Sequence, residues 1–280
     1  MRKYIQLFFT LVLASLTLSA CGNNANNAAS PSPSRPAASS PATSAGQNSL
    51  DRVQASGKLR IGTEGTYAPF TYHDASGKLT GFDVEIAEEI SKRLGVKPEF
   101  IETQWDGIIA GLEADRFDAI FNEVSIREDR LEKYDFTEPY IVSKAVLLVR
   151  EDNTDIKKLA DLKGKKSAQS LTSNLADIAR ANGAEIVSVD GFNQAIDLLM
   201  SRRVEATIND NLSYLDLKKQ KPDISLKVVD ETSEASRSAA MLLKGNEPLV
   251  QAMNKVLADM HSDGTYLRIS DKYFGADVSK

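Results

Sequence analysis

The chain has 280 residues, with 34 basic against 39 acidic side chains, a formal charge of −5 and a single cysteine. Phosphate binding needs basic clusters, and none is evident, so nucleic acid is excluded as a partner. One cysteine forms no internal disulfide, and the only histidines, His73 and His261, stand in no spacing typical of a metal site, so no metal and no cofactor are expected.

Arg2 and Lys3 precede an apolar run from Ile5 to Leu18, which ends Leu18-Ser19-Ala20-Cys21. A charged start, a short apolar core and small residues before a break describe a secretory signal over residues 1–20. No second run of ~18 apolar residues follows, so nothing else is expected to span a bilayer. Leu-Ser-Ala-Cys resembles the lipobox of bacterial lipoproteins. The resemblance implies cleavage before Cys21 and a diacylglycerol on its sulfur. The alternative is an ordinary signal peptide with an incidental buried cysteine. From Gly22 to about Ser49 the chain is Asn, Ala, Ser and Pro without an aromatic residue. It buries too little apolar area to fold and reads as a flexible tether over 21–49.

Folding is expected from about Leu50. Lys58–Thr63 alternates like a strand. Asp83–Leu94 carries Ile86, Ala87, Ile90 and Leu94 at helical spacing and stops at Gly95. A strand near Glu99–Glu102, a helix over Asp106–Ala114 and a buried strand over Ala119–Asn122 follow. Further strands are predicted at Val146–Val149, Ser167–Gln169, Ile186–Val189 and Ala206–Ile208. Helical patterns lie between or after them, at Asn174–Asn182, Phe192–Ser201 and Asn211–Lys219. The alternation predicts an α/β protein with parallel sheets. A strand at Ser238–Leu243 and helices at Glu247–Met260 and Tyr266–Tyr273 complete the reading. The length beyond the tether makes two domains plausible.

Three segments carry a resemblance to a known family. The first holds Gly62-Thr63-Glu64-Gly65-Thr66-Tyr67-Ala68-Pro69-Phe70 and Gly81-Phe82-Asp83-Val84-Glu85-Ile86-Ala87. The second holds Trp105-Asp106-Gly107-Ile108-Ile109, Val124-Ser125-Ile126-Arg127-Glu128-Asp129-Arg130 and Tyr134-Asp135-Phe136-Thr137-Glu138-Pro139-Tyr140. The third holds Val189-Asp190-Gly191-Phe192-Asn193-Gln194-Ala195 and Arg203-Val204-Glu205-Ala206-Thr207-Ile208-Asn209-Asp210. Together they resemble the extracytoplasmic solute-binding proteins of ABC importers for polar amino acids. Asn122-Glu123-Val124-Ser125-Ile126, Gln169-Ser170-Leu171-Thr172-Ser173-Asn174 and Tyr273-Phe274-Gly275-Ala276-Asp277-Val278 look most like cystine-binding members.

The resemblance implies an α/β, two-lobed, periplasmic-binding-protein-like fold of type II, with two interlobe crossovers. Lobe 1 is expected over 50–141 and 235–280, and lobe 2 over 142–234. An amino acid would sit between the lobes, which close over it by hinge bending. A partly dry cleft must pair both charges of such a ligand. Arg130 matches the family arginine that grips the carboxylate, with Ser125 beside it. Asp210 matches the carboxylate that holds the ammonium; read alone, it is equally a helix cap. Glu64 is either a second ammonium partner or a plain loop acid. Tyr67, Phe70 and Trp105 are candidate apolar walls, although Trp105 and Phe70 suit a core as well. Thr172 and Ser173 would offer hydroxyls and N–H groups, and Ser173 also suits a cap. Arg127 departs from the family, which often has a threonine there to help hold the carboxylate.

The expected function is capture of an L-amino acid, cystine foremost, and its delivery to an ABC permease and its ATPase. The protein would be a monomer outside the cytoplasm, anchored to the cell membrane through Cys21, on the periplasmic side if the source has an outer membrane. It is not expected to be an enzyme. The alternatives are a dehydratase-like enzyme on the same fold, although no nucleophile–base pair is evident, and a ligand sensor without transport.

Overall fold

The structure, a computed structural model, describes residues 48–280. The signal segment, Cys21 and the tether through Gln47 lie outside the described residues. No helix among the described residues is long and apolar enough to cross a membrane.

The chain first builds α1 (Ser49–Ser56), β1 (Lys58–Thr63), a small meander of β2 (Thr66–Tyr67), β3 (Thr71–His73) and β4 (Leu79–Thr80), then α2 (Phe82–Arg93). Next come β5 (Lys97–Glu102), α3 (Trp105–Glu113), β6 (Ala119–Ser125), α4 (Glu128–Leu131), β7 (Tyr134–Phe136) and β8 (Ile141–Ser143). A second run holds β9 (Ala145–Arg150), β10 (Lys166–Gln169), α5 (Asn174–Ala181), β11 (Glu185–Ser188), α6 (Phe192–Met200), β12 (Thr207–Asp210), α7 (Asn211–Gln220) and β13 (Leu226–Glu231). The chain then returns through β14 (Ser236–Leu243), α8 (Glu247–Ser262) and α9 (Thr265–Phe274).

One lobe is built on a sheet of order β5-β1-β6-β14-β7, with β8 also paired to β14. The other holds β12-β9-β13 and the pair β10-β11, joined by a bridge from Ser167 to Ala206. Both sheets are covered on two faces. Ala119 and Phe121 of β6 enter one core, Ile120 and Val124 the other. In β9, Val146 and Leu148 face one core, and Leu147 and Val149 its opposite. Alternate side chains point to opposite faces, so a strand buried on both sides reads as a continuous apolar run.

The expectation of parallel sheets holds only in part. β1 pairs parallel with β5 and β6, and β10 with β11. β9 runs antiparallel to β12 and β13, and β14 antiparallel to β6 and β7. The antiparallel members are the strands next to the crossovers: β9 follows the first, and β14 follows the second. β8 and β14 pair antiparallel from Ile141–Ser143 to Ser236–Ser238, so the two connecting segments lie side by side.

Helix α2 shows how sequence dictates an element. Phe82, Ile86, Ala87 and Ile90 lie on its inner face. Asp83 and Glu85 sit in its first turn, and Lys92 and Arg93 in its last, which suits the helix dipole. It starts at Gly81, whose φ of 133° suits only glycine.

Candidate functional site

Side chains at the carboxyl ends of strands from both lobes converge on one cleft, where α/β sheets usually bind ligands. Glu64 directly follows β1, β6 ends with Glu123 and Ser125, β10 with Gln169, and β12 with Asn209 and Asp210. A cavity of about 520 Å³, mouth included, is lined by Glu64, Tyr67, Trp105, Asn122 and Glu123 from one lobe and by Gln169, Ser173, Asn174, Phe192, Thr207 and Asn209 from the other. A second cavity shares Glu123, Asn174 and Leu175 with it and adds Ser125 and Asp210.

Arg130 is the buried cation of this region, 5% exposed on the short helix α4. Its Nη1 donates to the Ser125 carbonyl at 3.0 Å, and its guanidinium carbon stands 5.6 Å from the centre of the Trp105 ring. It forms no ion pair with any described residue. Burial first, and the nearby charge of Arg127 second, lower its pKa to about 10. The group therefore stays charged at neutral pH, with Asp129, Asp177 and Glu123 nearby but none of them in direct contact. The Trp105 Nε1–H is also buried and without an acceptor among the described residues.

Arg130 itself lines neither cavity, whereas Glu64, Glu123 and Asp210 do. Glu64 accepts from Asn122 Nδ2 at 2.6 Å, while Asn122 Oδ1 accepts from the Glu64 N–H at 2.8 Å. Burial raises Glu64 to a pKa of about 7, against the opposing effect of the Asn122 amide and the Trp105 N–H. Asp210 accepts from Ser143 Oγ and from the Leu212 N–H at 2.8 Å, so it caps α7 while facing the second cavity. Glu123, from the facing lobe, stands close enough to Asp210 for the two carboxyls to interact, and both line the second cavity. Burial, and then their mutual repulsion, push Glu123 well above the usual carboxylate range; burial also raises Asp210.

The hydrogen bonds around Tyr67 indicate where a proton resides. Its hydroxyl lies 3.1 Å from both Glu123 Oε2 and Asn209 Oδ1. A phenol has one proton to donate, and Asn209 Oδ1 is only an acceptor. A protonated Glu123 that donates to Tyr67, which in turn donates to Asn209, satisfies all three. Glu123 has a φ of 52°, and its backbone N–H donates to Asp83 Oδ2 at 3.0 Å. Asp83 is itself fully buried and takes the Tyr140 hydroxyl.

The remaining sequence candidates fall into distinct places. Tyr67 and Trp105 line the cleft. Phe70 does not: it is fully buried under Tyr67, ring centres 5.1 Å apart, and packs on Phe274. Ser173 lines the cleft and also caps α5, accepting from the Ala176 N–H at 3.0 Å. Thr172 is exposed and lines neither cavity; its N–H and hydroxyl both donate to Asp106 at 2.9 Å. Ser125 Oγ accepts from Asn174 Nδ2 at 3.2 Å, across the cleft. Sequence reasoning missed Glu123, Asn122, Gln169, Asn174, Phe192 and Asn209. Glu123 is the one acid of strand β6, whose sequence Ala119-Ile120-Phe121-Asn122-Glu123-Val124-Ser125 reads as a buried strand and hides it.

Comparison with known proteins decides the family. Residues 59–276 match the bacterial extracellular solute-binding proteins, family 3. The chain belongs to that family. Its place is accordingly outside the cytoplasm. The L-cystine-binding protein TcyA of Bacillus subtilis (strain 168) is 47% identical over 229 residues, covering 81% of this chain and 85% of the relative. The L-cystine solute receptor of Neisseria gonorrhoeae, solved unliganded and open, is 43% identical, covers 83% of this chain and 100% of its own, and superposes with a TM-score of 0.56. An ancestral arginine-binding protein bound to arginine is 39% identical, covers 78% of this chain and 98% of its own, and superposes with a TM-score of 0.73. The better superposition on the liganded relative, despite lower identity, agrees with the cross-cleft bonds: the lobes are closed.

These carboxyls predict a pH dependence. An ammonium ligand needs carboxylate anions, so protons on Glu64, Glu123 and Asp210 compete with it. All three are raised, so affinity for an amino acid should fall as pH drops from 8 to 5, by up to ~10-fold per pH unit for each proton displaced. Calorimetric titration across that range checks this, and a flat profile would contradict it.

Proposed function

We propose that this protein captures an L-amino acid, L-cystine, between its lobes and delivers it to a membrane permease powered by an ATPase. The observation that carries the reading is Arg130, a buried guanidinium without an ion-pair partner among the described residues, in the same region as the Glu123–Asp210 acid pair. An α-amino acid supplies what each side lacks: a carboxylate for two charge-assisted bonds to Arg130, and an ammonium for the acids. The ammonium replaces the proton that Glu123 otherwise carries.

A ligand with two ammonium groups has two places to set them, the Glu123–Asp210 pair and Glu64. Cystine carries two amino acid ends, so its second ammonium can meet Glu64. Tyr67, Trp105 and Phe192 supply apolar and π surface for the chain between the ends. The cystine-binding relatives agree with this choice.

Hinge bending occurs where β8 and β14 pair, at the proposed boundaries 141/142 and 234/235. The protein acts as a monomer. It is held at the membrane through a diacylated Cys21, with the tether leaving the lobes free to turn. Two acyl chains anchor stably where one does not. Labelled palmitate should be incorporated by the wild type and lost in Cys21→Ser.

Titration calorimetry with L-cystine, L-arginine, L-glutamine and L-histidine tests the function. Tightest binding is expected for L-cystine, with the ligand recovered unchanged. Absence of binding to every member of the panel would overturn the reading, and turnover of a bound ligand would favour the enzyme.

A further inference from the structure

Neither cavity is lined by Asp106, Arg127, Thr172, Asp177 or Arg180, yet these residues join the lobes at the rim of the cleft. Asp106, in the first turn of α3, accepts from the N–H groups of Leu171 and Thr172 at 3.2 and 2.9 Å and from the Thr172 hydroxyl at 2.9 Å. Arg127, just before α4, places Nη1 2.9 Å from Asp177 on α5 of the facing lobe. Its Nε holds Asp129 of its own lobe at 2.9 Å, which fixes its direction. The two receivers are tied together by Arg180, which donates to the Leu171 carbonyl at 2.7 Å and to Asp177 at 3.0 Å.

We infer that Asp106 and Arg127 form a two-point latch that holds the lobes together and sets the rate of ligand release without touching the ligand. They are positioning residues: they act by keeping Trp105 and Arg130 on one lobe against Ser173 and Asn174 on the other. The two points differ in physics. Asp106 receives three donors, two of them backbone N–H groups, in a geometry available only when the lobes meet. Asp106 is itself exposed, but two of its three donors are backbone N–H groups fixed in place, whereas an ion pair must order two side chains. The Arg127–Asp177 pair is part-exposed, with side chains 31% and 50% accessible, so salt must weaken it. Arginine at position 127 thus serves closure; it pairs with carboxylates on both lobes and is unavailable as a carboxylate clamp.

The inference rests on the amino acid binding reading for its kinetic arm, and has a second arm that does not. In stopped-flow displacement of L-cystine, or of whichever amino acid of the panel binds, Asp106→Ala should speed release about 10-fold and Arg127→Ala about threefold. Association should change less than release, because encounter occurs in the open form. Raising salt from about 0.05 to about 0.5 M should speed release from the wild type and leave Arg127→Ala nearly unaffected. The Asp106 and Arg127 effects should be less than additive, since Arg180 couples the two points. In the second arm, dye pairs on the two lobes report interlobe distance without any ligand, and both variants should lower the closed fraction. Release rates and closed fractions equal to wild type in both variants would overturn the latch. If no amino acid binds but the closed fractions fall, the function fails and the latch stands.

Discussion

Arg130→Met should abolish amino acid binding while leaving the fold intact or more stable. Removing one partner of a buried, hydrogen-bonded charge pair costs about 3–5 kcal/mol, which is a loss of ~10²- to 10³-fold or more in affinity. The ligand carboxylate would then be buried without a cation. The stability effect has the opposite sign. Arg130 is a buried cation without an ion-pair partner among the described residues, held by one bond to the Ser125 carbonyl and by the face of Trp105. Replacing such a charge with an apolar side chain of similar volume is often neutral or stabilising. Calorimetry and thermal melts on one preparation separate the two effects. Arg130→Lys keeps the charge but not the planar fork, so it should retain part of the affinity. Strong binding by Arg130→Met, or a melting temperature far below wild type, would mean that the residue has another role.

The second large effect concerns stability. Gly81→Ala should lower the melting temperature by about 10 °C or more, following from a cost of about 3–5 kcal/mol. Two causes add. The φ of 133° at Gly81 lies where side-chain-bearing residues are strained. A methyl group there would stand 2.2 Å from the Phe70 carbonyl oxygen and 2.8 Å from the Thr71 nitrogen. These are backbone atoms that cannot rotate away. The Phe70 carbonyl already accepts from the Asp83 N–H at 3.0 Å, and the Pro69 carbonyl from the Phe82 N–H at 2.9 Å. Relief would shift the loop that carries Tyr67 over Phe70, so binding should weaken as well. Thermal circular dichroism is the check, and a melting temperature within about 2 °C of wild type would contradict the argument.

The elements that the sequence revealed best are those whose burial has a clear period. Helices α2, α3, α5, α6 and α7 begin and end within one residue of the positions read from apolar spacing and glycine stops. The meander β2–β4 and strands β7, β8 and β13 escaped notice. They are short, or, like β13 with the pattern Leu226-Lys227-Val228-Val229-Asp230-Glu231, only half buried, so they lack a strong period. Strand direction was misread for β9 and β14 because alternation of helix and strand says nothing about a chain that crosses between lobes and returns.

The site was legible where chemistry and motif coincided, and less so where one residue does two things. Asp210 is both the cap of α7 and a carboxylate facing its counterpart in the other lobe, so neither single reading described it. Thr172 belongs with the rim, because its donors turn to Asp106 rather than inward. Phe70 supports Tyr67 from beneath. Glu123 was hidden inside a strand motif, and only the meeting of the two lobes shows that it shares its surroundings with Asp210. Arg127 was noticed as a departure from the family. Its partner Asp177 lies fifty positions along the chain, a pairing that no local pattern reveals.

The most direct test of the central claim is a crystal structure of the protein with L-cystine. The account predicts a ligand between the lobes with one α-carboxylate in two parallel bonds to the Arg130 guanidinium. The adjoining ammonium should lie between Glu123 and Asp210, and the far ammonium near Glu64. A ligand whose carboxylate lies away from Arg130, or a cleft left without cystine at saturating concentration, would contradict it.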